Sequence, residues 1–401
     1  MDAAIILAVD DEVEKYLIMF RLLNLKNFKC FRQLIEPIEF TDINLLTGSN
    51  GRGKSSIFQS ILLLAQSYES GKDFKRVRLS GRFLELGSFK DIVYKGDLDE
   101  KITISISTDD ENDQNIKFIC KAGDVGTVVD NIYVNDKSLV SETSSASSMG
   151  NSCVDSPLPL AVKEEKSFSP TSTYESFSQF LNVFYISADR LGPLSVVKLL
   201  EDSVGDQIGV HGEKIINSLH ERRDDFQHTV ATEMSHILGG ASVRLTNLDT
   251  DFIRVFLDSI DGSNGYRPIN VGFGYSYILP LIVFPLVIPE GSKLFIENPE
   301  AHLHPGAQSR LSDFLIRISR ERKIQLFIET HSDHIINSLR IAVKRKQYGI
   351  GPENARIIHI GRQKESNEPM IWQIQMDSNG RLSDYPPDFF EEWGNQMAQL
   401  V

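Results

Sequence analysis

The chain has 401 residues, 41% of them hydrophobic and 24% charged, which places it among globular proteins and excludes disordered or fibrous classes. Its formal net charge of −13 argues against a general nucleic-acid coat, because phosphate-driven binding requires a positive surface. Basic clusters at Lys72 to Arg82, Arg317 to Lys323 and Arg340 to Lys346 could form a local stripe for DNA, but charge runs of this kind more commonly read as solvated faces.

In chain order, the apolar run Ala3 to Val9 has no basic region before it and is followed by Asp10, Asp11 and Glu12, so it reads as neither signal peptide nor membrane span. Residues 1–18 read as an N-terminal extension with no assigned role. A strand at Phe20 to Leu25 leads through NFKCF to a second at Ile43 to Leu46, and a Gly-rich turn opens an apolar helix from Lys54 to Gln66. Ile102, Ile104 and Ile106 alternate along KITISIS, and with Ile116 to Ile119 and Asn131 to Val134 predict an antiparallel meander. Residues 141–178 are rich in serine, threonine and proline and read as a mobile insertion. Order returns at Val183 to Ser187; residues 195–240 read as largely helical, followed by strands near Val243 to Leu248 and Phe252 to Leu257 around a turn at Asp261-Gly262.

The last third alternates strand and helix as a mostly parallel sheet does. Lys293 to Glu297 and Ile324 to Ile328 read as buried strands, each followed by an amphipathic helix, and Arg356 to Ile360 and Ile371 to Met376 complete the pattern. The division expected is an extension (1–18), a first lobe with the Gly-rich turn and the meander (19–140), the low-complexity insertion (141–179), a helical insertion with connecting strands (180–260) and a second lobe (261–401). Three cysteines, Cys30, Cys120 and Cys153, fit no metal or disulfide spacing, which suits a reducing cytoplasm.

GSNGRGKS at Gly48 to Ser55 satisfies G-x-x-x-x-G-K-[ST] at every fixed position. Its glycines let backbone N–H groups turn inward around phosphates, and the helix that follows adds its positive dipole end. The expected nucleotide contacts are Asn50, Gly51, Arg52, Gly53, Lys54, Ser55 and Ser56, with Lys54 on the β- and γ-phosphates of ATP and the Ser55 hydroxyl on Mg²⁺. In FIENPEAHLHP, Glu297 ends a strand and is the expected metal-side carboxylate, while Glu300 lies three residues on, in a turn. His331, in FIETHSDH, is expected to donate to the γ-phosphate or to an attacking water. In NVGFGYSY, Gly272 and Gly274 permit close approach to a ligand and Ser276 could bond phosphate. Zinc is the weaker reading of His302, His304, His331 and His334, which lack cysteine partners and the H-E-x-x-H form.

The order of P-loop, glycine-bearing signature, acidic strand end and histidine resembles that of ABC-type ATPases, in the branch of SMC-like and RecF-like heads and the overcoming-lysogenization-defect (OLD) ATPases. Within it, IENPEAHLHPGAQ, NLKNFKCF…LLTGSNGRGKSS and GRLSDYPPDFFEEW are similar to stand-alone bacterial ATPases of antiphage defence operons. The resemblance covers residues 19–135 and 180–401. It implies an α/β fold: an ABC-type P-loop ATPase head with a mixed sheet, an antiparallel β-subdomain and an inserted helical subdomain. It also implies a cytoplasmic head-to-tail homodimer with two ATP molecules sandwiched between each P-loop and the other copy's Gly272 to Ser276 signature, and His304 in the loop after the acidic strand. Leu86 to Val93 stands at the family's communication loop without its glutamine. ADRLGP (Ala188 to Pro193) is similar to a recurring family segment, which makes Arg190 either a phosphate or nucleic-acid contact or a surface ion-pairing residue near Asp189.

Many relatives carry a catalytic glutamate where this chain has Asn298. An amide cannot accept a proton from water, so the expectation is slow hydrolysis or transfer of the base role to Glu300. The function implied is an ATPase that controls a separate effector, a nuclease or toxin. With 70 residues (332–401) after His331, an OLD-type nuclease domain in the same chain is not expected. A DNA-repair or chromosome-maintenance clamp, a non-hydrolysing ATP-bound scaffold and, least favoured, a transporter's ATPase subunit are the alternatives.

Overall fold

The computed structural model describes residues 18–68, 76–109, 114–123, 126–138, 182–192, 194–199, 208–222, 224–249, 251–258, 265–272, 274–362, 368–389 and 398–399. The expected insertion (141–178), the turn at Asp261-Gly262 and all but the last residue of the expected extension lie outside them.

The first lobe is an antiparallel sheet. Its strands are β1 (Phe20–Phe28), β2 (Phe31–Gln33) and β3 (Ile38–Glu39), then, after strand β4 (Ile43–Thr47), helix α1 (Lys54–Tyr68), β5 (Arg76–Val77) and the short helix α2 (Phe89–Ile92), β6 (Ile102–Thr108), β7 (Asn115–Ala122), β8 (Thr127–Val134) and β9 (Lys137–Ser138). They run in the order β2-β1-β6-β7-β8-β5, with β3 on β1 and β9 on β8. In β6 every second residue is buried, the period-2 pattern of a sheet with one wet face.

The second sheet holds β4 among strands from the other end of the chain: β10 (Val183–Ile186), then, beyond β11 (Val196–Lys198), α3 (Ile215–Glu221), α4 (Asp224–Leu238), β12 (Ser242–Asn247), β13 (Phe252–Asp258) and α5 (Gly274–Val287), strand β14 (Lys293–Glu297), α6 (Pro305–Glu321), β15 (Gln325–Glu329), α7 (Asp333–Arg345), β16 (Ala355–Arg362) and β17 (Pro369–Ile374). The order is β10-β14-β15-β4-β16-β17, parallel but for β17, which is antiparallel to β16. KLFIE and QLFIE are apolar runs because this sheet is covered on both faces. Leu294, Ile296, Leu326 and Ile328 face the core shared with α5, α6 and α7, whereas Phe295, Phe327 and Ile358 face α1 and the antiparallel sheet.

Aromatic packing fixes α1 on that second face. Phe295 and Phe327 stack with centroids 4.3 Å apart, and Phe58 of α1 meets Phe295 edge-on at 5.0 Å. Helices α3 and α4 fill most of the described part of residues 195–240, as expected, but the helical reading missed β11, which lies at 196–198 and joins β13 and β12 in a three-stranded sheet. Val-Val-Lys is too short to display a period, so only its partner strand reveals it.

Candidate functional site

The P-loop joins the C-terminal end of β4 to α1, the crevice where open parallel sheets bind ligands. Its glycines are required by geometry. Gly48 has φ +128°, and a Cβ there would stand 2.1 Å from the Ile360 carbonyl oxygen. Gly53 has φ +110°, and a Cβ would meet Cys30 Sγ at 2.6 Å and the Phe31 ring at 2.9 Å. The NFKCF turn between β1 and β2 therefore roofs the loop.

Lys54 is only 3% exposed. Its Nζ donates to the carbonyls of Gly48 at 2.8 Å and Ser49 at 3.1 Å and lies 3.7 Å from Glu329 Oε1. Burial lowers its pKa, against the pull of Glu329 and Glu300. A poorly hydrated cation at the head of a helix suits a phosphate. Asn50 and Gly51 lie on the exposed rim. One guanidinium nitrogen of Arg52, Nη1, is buried with no hydrogen-bond partner among the described residues. Ser56 Oγ lies 4.0 Å from Cys30 Sγ.

Ser55 Oγ donates to Glu329 Oε2 at 2.9 Å. The sequence reading places Glu297 on the metal side of Ser55, but the carboxylate bonded to Ser55 here is that of Glu329. Glu297 and Glu329 are register partners on β14 and β15, but β15 is the strand beside β4 and β14 is one strand further out, so the nearer carboxylate belongs to Glu329. Glu297 instead accepts from the Ala188 amide at 3.4 Å and from the Tyr185 hydroxyl. Burial and the neighbouring Glu297 charge push the Glu329 carboxyl up to about 7, and burial raises Glu297 as well. A hydroxyl and a carboxylate beside a phosphate cradle match the oxygen donors that Mg²⁺ takes, with phosphate and water completing its shell. Ser55 and Glu329 are the residues that would hold it. Among the described residues there is no cluster of three or more His, Cys, Asp and Glu side chains that could hold a metal.

Glu300 reaches the adjoining strand end. One carboxylate oxygen accepts from the Thr330 hydroxyl at 2.9 Å and the other from the His331 amide at 2.7 Å. Burial and the Lys54 charge lower the His331 pKa, favouring the neutral imidazole. Lys54, Ser55, Glu329, Glu300 and His331 thus meet at one edge of the parallel sheet. Asn298 adopts φ +43°, a left-handed conformation that asparagine tolerates better than glutamate, and its backbone N–H donates to the Glu329 backbone carbonyl at 2.9 Å.

The signature run lies elsewhere on the same protomer. Gly274 opens α5 against the 302–303 turn, where a Cβ would come within 2.6 Å of the His302 carbonyl oxygen. Ser276 lines a hollow with Leu191 and His211, and Gly272 has no heavy atom within 4 Å of an added Cβ. A nucleotide role for Gly272, Gly274 and Ser276 would be exerted across an interface with a second copy. His304 caps α6, its Nδ1 accepting from the Gly306 amide at 3.2 Å. Arg190 is not the surface ion-pairing residue offered as one alternative: it is 2% exposed and donates to backbone carbonyls.

Fold and site together define a P-loop ATPase whose fold, a mixed sheet with several helices, is like that of SMC heads. The chain belongs to the AAA domain family, whose model matches residues 22–233. An AAA ATPase domain model matches 196–336, and 350–400 match a family described as protein of unknown function (DUF3696). No curated protein matches the chain in sequence. Among solved structures, an SMC head bound to the C-winged helix domain of ScpA is similar at 13% identity and a TM-score of 0.54, over 88% of this chain and 97% of that one. An SMC head with an extended coiled coil, bound to the C-terminal domain of ScpA derived from Pyrococcus furiosus, is similar at 13% identity and TM-score 0.54, over 89% and 96%. Among the described residues no helix is long and apolar enough to cross a membrane.

Proposed function

We propose that the chain binds ATP with Mg²⁺, dimerises head to tail around two nucleotides, hydrolyses slowly and controls a partner effector, a nuclease or toxin, in antiphage defence. The observation that carries the nucleotide part is the convergence of Lys54, Ser55 and Glu329 beneath the P-loop. Lys54 neutralises the terminal phosphates, and Ser55 with Glu329 holds the cation that offsets their charge. Glu300 orients His331 and accepts the proton of water in place of the amide Asn298. His331 donates from its neutral imidazole to the terminal phosphate. A slow base favours a long-lived ATP-bound state, so binding more than turnover sets the conformation.

Dimerisation brings Gly272, Gly274 and Ser276 to the other copy's P-loop. The defence role and the effector rest on the IENPEAHLHPGAQ and GRLSDYPPDFFEEW segments. Purification with the products of neighbouring genes, with and without ATP, tests the partner: a chain that always elutes alone contradicts it. A chromosome-maintenance clamp is the second reading, favoured by the likeness in fold to SMC heads; turnover stimulated by DNA with no toxic partner would select it.

A further inference from the structure

The ADRLGP segment supplies a buried cation that the proposed chemistry leaves unused. Arg190 Nη1 donates to the Ser187 carbonyl at 3.1 Å and the Glu297 carbonyl at 2.9 Å, and Nη2 donates to the Asn298 carbonyl at 2.7 Å. Its Nε is buried with no partner among the described residues. The Tyr277 ring of α5 lies 5.6 Å from the guanidinium carbon and meets the His302 ring edge-on at 4.7 Å.

These contacts surround the Glu300 turn. Asn298 and His302 both have positive φ, 43° and 62°, a conformation non-glycine residues hold only where neighbours impose it. The turn's internal bonds are two, from the Ala301 amide to the Asn298 carbonyl at 3.1 Å and from the Leu303 amide to the Glu300 carbonyl at 3.0 Å. The Arg190 fork grips the first side of the turn, and Tyr277 with the close approach at Gly274 grips the second. Burying a guanidinium is costly unless fixed acceptors hold it, and here two of the three, the Glu297 and Asn298 carbonyls, belong to the backbone that aims Glu300.

We propose that Arg190 is a positioning residue that fixes the Glu297–His302 turn against the start of α5, and so holds Glu300 on Thr330 and His331. The inference rests on the ATPase reading above. Its planar fork is the feature that matters, because a lysine ammonium cannot span carbonyls from two strand ends in one plane.

The experiment measures ATP dissociation constants with a fluorescent ATP analogue and single-turnover hydrolysis, using the full chain as wild type, Arg190→Lys, Arg190→Met and Tyr277→Leu. Both Arg190 variants should bind ATP within about twofold of wild type and lose at least about ten-fold in turnover. Tyr277→Leu keeps the three hydrogen bonds and guards against misfolding of the Arg190 variants; it should lose about three-fold in turnover with affinity retained. Unchanged turnover in Arg190→Lys, or affinity and turnover falling in parallel in Tyr277→Leu, overturns the proposal. A wild type that binds no ATP overturns the ATPase reading itself, a separate outcome.

Discussion

Ser55 and Glu329, 274 positions apart in sequence, are joined by a 2.9 Å hydrogen bond that ties the P-loop helix to the end of the adjoining strand. That bond sets a hydroxyl and a carboxylate, the donors that the proposed function gives to Mg²⁺, beside the phosphate cradle.

Glu329→Gln keeps the shape and removes the charge. Mg²⁺-dependent ATP affinity should fall by about ten-fold, roughly 1.4 kcal/mol, while affinity measured in excess chelator changes little. Equilibrium titration with and without Mg²⁺ reads the difference. A larger loss in Glu297→Gln than in Glu329→Gln would restore Glu297 to the metal side.

The same carboxyl gives a pH signature. Glu329 titrates at about 7 in the folded chain, above the ordinary carboxylate value, so between the two values the folded state binds more protons than the unfolded one. Stability is then greatest on the acid side of this window and falls as pH rises through about 7. A cation must displace that proton, so Mg²⁺ affinity should rise between about pH 6 and about pH 8. Urea unfolding and Mg²⁺ titration across this range check both trends, and Glu329→Gln should flatten them.

Glycine replacements separate cradle from rim. Gly48→Ala drives a Cβ to 2.1 Å from the Ile360 carbonyl oxygen, so it should lose ATP binding and about 3 kcal/mol of stability. Gly51→Ala meets no heavy atom within 4 Å and should cost only about 1 kcal/mol for its positive φ. Thermal unfolding orders the two.

Glu300→Gln should leave ATP affinity within about twofold and lower turnover by about a hundred-fold. Both of its oxygens accept hydrogen bonds, from Thr330 and His331, so the amide must turn its NH₂ toward one of two donors. Rapid-quench hydrolysis measures the effect; turnover equal to wild type would remove Glu300 from the chemistry.

The P-loop was legible because its signal is local: a strand, glycines at fixed offsets and a helix, all within Ile43 to Gln66. The alternation in Ile102, Ile104 and Ile106 similarly displayed one wet face. Glu329 was not legible, since its importance comes from β15 lying between β14 and β4, and strand order is a property of the assembled sheet. Its only trace in sequence is an acid as the last residue of a buried strand, a trait it shares with Glu297. The burial of Arg190 is hidden in the sequence for a related reason: a charged residue in a loop looks solvated until the carbonyls of Glu297 and Asn298 close over it.

The most direct test of the account is calorimetric titration of the full chain with Mg²⁺–ATP, beside Lys54→Ala. One nucleotide bound per wild-type chain, with heat abolished by Lys54→Ala, is the result expected of a cradle closed by that lysine. No heat from the wild type, or equal heat from both proteins, would contradict it.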